Sequence, residues 1–168
     1  FASVRWPAPF VFDTPENSAV TVMPVLQGLL IPNLWKNPVS SLPFDGQMCS
    51  AGAYMPWFGQ IDNRKGYIAI CEHPWDAGYY IDHPSGGPRT HTGMYFLPSL
   101  GRLSYRRIVR FSFLEDCDYN DLCKVYRGYA RETGLLTTLA EKSARNPLVD
   151  KLIGSAIVHK GIKTHVSP

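Results

Sequence analysis

The chain has 168 residues, 45% of them hydrophobic, 12% aromatic and 18% charged, the composition of an ordered globular protein able to bury about two-thirds of the surface its unfolded form exposes. Its net charge of +3 comes from 17 basic and 14 acidic residues, scattered without the basic run that would track a phosphate backbone, so no nucleic acid is expected as a partner. No stretch approaches the roughly 18 consecutive apolar residues of a membrane span, and no charged-then-apolar signal segment opens the chain.

Up to about residue 115, short β-branched and aromatic runs alternate with turn residues, the pattern of an antiparallel sheet protein. Residues 18–23, between Pro15 and Pro24, and residues 27–31, ending at Pro32, read as strands. Residues 54–58 and 67–71 read as a hairpin around a loop at 59–66, with Asp62, Asn63 and Gly66 as its turn residues. Residues 81–92 carry Pro84, Gly86, Gly87 and Pro88 and are expected to form a long exposed loop. Over residues 107–113 alternation is strict, which directs Val109, Phe111 and Phe113 to one face and Arg110 and Ser112 to the other. That is the pattern of a sandwich strand with one wet face.

At Asp116 the period changes to 3.6. Leu122, Val125, Tyr126 and Tyr129 line one face of a helix that Asp118 caps and Gly134 ends. A second helix opens on the capping-box pair Thr138 and Glu141, and a third on Asn146 and Pro147, ending at Gly154. The apolar run 155–160 reads as a strand buried on both faces, which needs parallel neighbours that the remaining residues do not provide. The division expected is a β-sandwich over 1–116, a helical connector over 117–153, and the start of a second domain over 154–168. A chain opening on Phe1 also reads as one whose natural start, with any secretion signal, is missing; an extracellular or periplasmic location is compatible with it.

Cys49, Cys71, Cys117 and Cys123 have neither zinc-site spacing nor the density of a disulfide framework, and are expected to pack as small hydrophobes. Cys71, His73, Asp76, Asp82, His83 and His91 offer metal-binding chemistry. Pro74 interrupts their strand and no ligand spacing is matched, so neither a metal nor another cofactor is expected. Glycoside hydrolysis needs two carboxylates about 5 to 9.5 Å apart. Asp62 belongs to the hairpin turn, while Asp116, Asp118, Asp121 and Glu141 are accounted for by capping. Asp76 and Asp82 remain, near Trp75, Tyr79 and Tyr80. Aromatic rings stack on the C–H faces of sugars and a carboxylate accepts their hydroxyls, so carbohydrate is the ligand class this pattern suits. The alternative is that these aromatics are core or interface side chains. Nucleophile elbows, zinc-protease helices and phosphate loops are absent from the sequence.

Met55-Pro56-Trp57-Phe58-Gly59, Gly66-Tyr67-Ile68-Ala69-Ile70, Trp75-Asp76-Ala77, Asp118 through Leu122, Val125 through Ala130, and Leu139 through Lys142 with Asn146-Pro147 together resemble bacterial glycoside hydrolases. In those enzymes a β-supersandwich similar to the galactose-mutarotase fold precedes a (β/α)8 barrel. The resemblance implies a mainly β fold: an antiparallel sandwich, connector helices, and the first strand of a barrel whose remainder, with the catalytic acids, lies outside this sequence. It implies a non-catalytic supporting domain whose sandwich loop closes one side of the sugar pocket, with Trp57, Trp75 and Asp76 as candidate residues and no catalytic residue. On this reading its partners are carbohydrate and a missing C-terminal barrel, and the connector presents an apolar docking face. An independent carbohydrate-binding module, with exposed aromatics on one sheet face, is the alternative; a jelly-roll metalloenzyme fits less well, because the C-terminal helices would have no role.

Overall fold

The computed structural model describes residues 3–7, 19–25, 28–33, 44–48, 55–82, 91–99, 102–152, 154 and 155. Nine strands precede two helices within them: β1 (Val4–Pro7), β2 (Val20–Met23), β3 (Leu29–Pro32), β4 (Phe44–Gln47), β5 (Trp57–Asp62), β6 (Lys65–Cys71), β7 (Ala77–Asp82), β8 (His91–Phe96), β9 (Val109–Leu114), α1 (Tyr119–Glu132) and α2 (Leu139–Arg145). The strands form two antiparallel sheets, one ordered β1-β8-β7-β4 and the other β3-β2-β5-β6-β9. Their inner faces meet in one core. Met23, Phe58, Tyr67 and Ala69 come to it from the five-stranded sheet, and Tyr79, Ile81, Met94 and Phe96 from the four-stranded sheet, as period-2 alternation requires. The expected mainly β, antiparallel sandwich is thus the fold observed.

The hairpin of β5 and β6 is tighter than the spacing suggests. The two strands run on through 59–62 and 65–66, and the connection is Asn63-Arg64 alone. Both residues have positive φ, 47° and 62°, the requirement of a two-residue type I′ turn whose twist matches the strands. Arg64 is a costly residue there, and local bonds hold it: its guanidinium pairs with Asp116 and its carbonyl accepts the Cys117 N–H at 2.7 Å.

The long loop expected over 81–92 is corrected at both ends. Ile81 and Asp82 finish β7, and His91 and Thr92 begin β8, paired Ile81 to Thr92 and Asp82 to His91; residues 83–90 lie outside the described residues. Phe113 is also corrected. It shares the parity of Val109 and Phe111, which pack against the core, yet stays 65% exposed, on a strand that is the edge of its sheet among the described residues.

Within Phe1–Gly128, the first of two compact units, α1 lies on the outer face of the five-stranded sheet. Gly59 makes room for it: a Cβ built there would sit 2.6 Å from Leu122 Cδ1. Trp57, two residues earlier on the same face, stacks on Tyr126 with ring centroids 5.9 Å apart. The expected cap of α1 is present, with the Asp118 carboxylate accepting from the Asn120 and Asp121 N–H groups at 2.7 and 3.2 Å. Asp121 reciprocates by accepting from the Asp118 N–H at 3.0 Å.

The second unit, Tyr129–Pro168, contains α2, capped by the Thr138 and Glu141 box. It also contains a 3-10 segment at Pro147–Leu152, where the sequence suggests a third helix. Gly134 and Gly154 take positive φ, 73° and 76°, at the stops expected of them. The proposed barrel strand at 155–160 lies, beyond Ser155, outside the described residues.

Candidate functional site

Two connections cross from one sheet to the other at the same end of the sandwich. The first, residues 72–76, leads from β6 to β7; the second, described over 97–99 and 102–108, leads from β8 to β9. Register places them together, since Ala77 pairs with Phe96 and Cys71 with Val109. This end carries two of the three candidate residues, Trp75 and Asp76, on a 3-10 turn over Pro74–Asp76. Pro74 is buried and starts the turn, where its missing N–H costs nothing.

Trp75 is 72% exposed. Its neighbour Asp76 faces inward. The Asp76 carboxylate accepts the Tyr105 hydroxyl at 2.7 Å and lies 3.5 Å from the Arg107 guanidinium, while its backbone carbonyl accepts the Leu97 N–H at 2.7 Å. Arg107 also donates to the Leu97 carbonyl at 3.1 Å and lies 3.2 Å above the Tyr105 ring centroid, a cation over a π face. Burial, and then the hydrogen bond to Asp76, push the Tyr105 phenol above its ordinary pKa, so at neutral pH it is a donor to the carboxylate. Asp76 therefore ties both crossings together and fixes the backbone on which Trp75 is displayed. A second ion pair, Arg110 to Glu72 at 2.9 Å, holds the start of the same crossing.

Trp57 is 2% exposed and sits behind this end, under α1. It lines a cavity of about 310 Å³ with Val22, Leu29, Leu30, Met55 and Tyr119, and its buried indole N–H has no acceptor among the described residues. The structure thus brings Trp75 and Asp76 into one turn and sets Trp57 apart in the packing of the helix. Tyr105 and Arg107, which sequence reasoning did not single out, complete the turn. The only hint of them is the Tyr-Arg-Arg run at 105–107 before a strand.

Of the residues with metal-binding chemistry, Cys71 is buried at the end of β6 and His73 is exposed. His83, and the side chains of Asp82 and His91, lie outside the described residues. Among the described residues no three His, Cys, Asp or Glu side chains come together, and no helix is long and apolar enough to cross a membrane.

No protein-family profile and no curated protein sequence matches the chain. Solved structures do. Ligand-free α-N-acetylgalactosaminidase NagBb from Bifidobacterium bifidum is 49% identical over 100% of this chain, with a TM-score of 0.79. The same enzyme in complex with GalNAc gives 51% identity over 99% of the chain and a TM-score of 0.78, and its Gal-NHAc-DNJ complex gives 50%, 99% and 0.78. The chain spans only 27 to 28% of the length of NagBb, and the matched part is the N-terminal one. From end to end, this chain is similar in sequence and fold to the N-terminal region of a glycoside hydrolase.

Proposed function

We propose that this chain is the non-catalytic N-terminal domain of an enzyme that hydrolyses α-linked N-acetylgalactosaminides, with Trp75 forming one wall of the sugar pocket. The observation that carries this reading is the 49 to 51% identity to NagBb over essentially the whole chain. The carboxylates are compatible with it. Asp76, Asp116, Asp118, Asp121 and Glu141 are each engaged in a structural hydrogen bond or ion pair, and on this reading the acids that cleave the glycosidic bond belong to a catalytic barrel outside this chain.

Within that division of labour Trp75 supplies a ring face, Asp76 fixes its turn, and Trp57 anchors α1. An exposed indole stacks on the apolar face of a hexose; a buried one, such as Trp57, does not. The test is hydrolysis by the full-length protein of p-nitrophenyl α-N-acetylgalactosaminide, compared with the α-galactoside and the β-anomer. Preference for the first is expected, and its absence overturns the substrate assignment. Trp75→Ala in that protein should raise KM with folding preserved; unchanged KM and kcat would remove Trp75 from the pocket.

A further inference from the structure

Positive charge is left over at the end of the sandwich that displays Trp75. The two crossings and the start of β9 carry Arg102, Arg106, Arg107 and Arg110 against Glu72 and Asp76. Arg107 is paired with Asp76 and Arg110 with Glu72. Leu100 and Gly101, which belong to the second crossing but lie outside the described residues, bring no charge. Arg102 and Arg106 are exposed, and among the described residues no group engages either guanidinium. Backbone bonds hold both of them to the Trp75 turn. The Asp76 carbonyl accepts the Leu97 N–H at 2.7 Å, and two residues further on Ser99 and Arg102 exchange N–H to carbonyl bonds at 2.9 and 3.1 Å. Arg106 lies between Tyr105 and Arg107, whose side chains both turn to Asp76. Leu103, 42% exposed, adjoins Arg102. An exposed ring, an exposed aliphatic side chain and two unneutralised cations thus share one end of the sandwich.

We infer that this surface reads the polypeptide to which the sugar is attached, and that Arg102 and Arg106 select acidic side chains close to the glycosylated residue. The inference rests on the reading under Proposed function, in which Trp75 meets the sugar. Charge argues for this ligand: a guanidinium fork matches a carboxylate through two parallel, charge-assisted hydrogen bonds, and the chain itself supplies no carboxylate for these two. Leu103 has no ring face to offer a hexose and suits a peptide side chain instead.

The test uses the full-length protein and synthetic peptides that carry one N-acetylgalactosamine α-linked to threonine, flanked by Glu or by Gln. KM for the Glu peptide should be several-fold lower, with kcat little changed. Arg102→Gln together with Arg106→Gln should raise KM for the Glu peptide by roughly two- to ten-fold, the combined strength of two exposed charge pairs, and leave the Gln peptide unaffected. Arg127→Gln, which removes an exposed charge from α1, controls for net charge and should alter neither. Salt should erase the preference, since the Debye length falls from about 30 to 3 Å between about 0.01 and 1 M. Equal KM for the two peptides overturns the inference, and so does a Glu preference that survives in the double variant. Kd of the same peptides, dye-labelled and read by fluorescence anisotropy, decides the matter without turnover. Hydrolysis of both peptides with no Glu preference refutes the charge selection alone. Hydrolysis of neither, with a Glu preference in Kd that the double variant abolishes, refutes only the function.

Discussion

Adding the same methyl group at two glycines should change stability in opposite directions. At Gly59, in the middle of β5, a Cβ meets Leu122 Cδ1 and the Tyr67 carbonyl oxygen, both at 2.6 Å, about 1 Å inside van der Waals contact. Neither neighbour has room to retreat. Leu122 is fully buried, and the Tyr67 peptide belongs to a strand paired on both sides. Gly59→Ala is therefore expected at the upper end of overpacking costs, about 3 kcal/mol, which for a protein of this size lowers Tm by roughly 6 to 12 °C. At Gly128, inside α1, a Cβ meets nothing within 4 Å, and Gly128→Ala should stabilise by roughly 0.5 to 1 kcal/mol through the lost freedom of the unfolded chain. Urea and thermal unfolding of the two variants measure both values. Because Leu122 is one of two obstacles, Gly59→Ala combined with Leu122→Ala should be destabilised by less than the sum of the single changes. A Gly59→Ala protein within about 0.5 kcal/mol of the parent, or strict additivity in the cycle, would refute the seating of α1 on β5.

Tyr105→Phe removes the hydroxyl that binds Asp76; with that carboxylate partly exposed, a loss of about 1 kcal/mol is expected in chemical denaturation, and an unchanged midpoint would show that the bond contributes nothing. The Thr138 backbone N–H, and then the Thr138 hydrogen-bonded side chain, hold the Glu141 carboxyl below its ordinary pKa. Its capping contribution is therefore present above the unfolded-state pKa and is lost as pH falls through the lower folded value. Amide protection at Thr138 should accordingly decline in acid, and Glu141→Gln should flatten that decline; identical pH profiles would refute the assignment.

Local signals in the sequence were readable and long-range ones were not. The caps at Asp118, Thr138 and Asn146 are each fixed by three or four neighbouring residues, and the structure shows each of them bonded. Strands β2, β3, β6 and β9 were legible from their apolar runs, whereas β5 was legible only over Trp57 and Phe58, because its polar second half reads as loop. Strands β7 and β8 were not, because Gly78 and Gly93 interrupt them and tyrosines occupy both faces. Gly78 is required by packing across the sheet, where the Tyr95 ring occupies the space a Cβ would take. The tight turn escaped because Arg64 replaces the glycine that normally marks its second position, and its compensation by Asp116 comes from 52 residues away. At the candidate site, the exposure of Trp75 on a proline-bounded turn fits its sequence. The burial of Trp57 depends on where α1 lands, and the engagement of Asp76 depends on residues about thirty positions downstream, neither of which a local pattern encodes.

The pairing of β1 with β8 sets an order on synthesis. Val4 lies opposite Phe96, so at a ribosomal rate of roughly 5 to 20 residues per second the first strand waits about 5 to 20 seconds before its neighbour exists. Throughout that interval β5 and β6 can already close on Asn63-Arg64, because their partners are adjacent in sequence. The β5-β6 hairpin is thus the template that forms early, ahead of both β8 and β9, and β1 is the segment that a holding chaperone would need to shield until β8 is made.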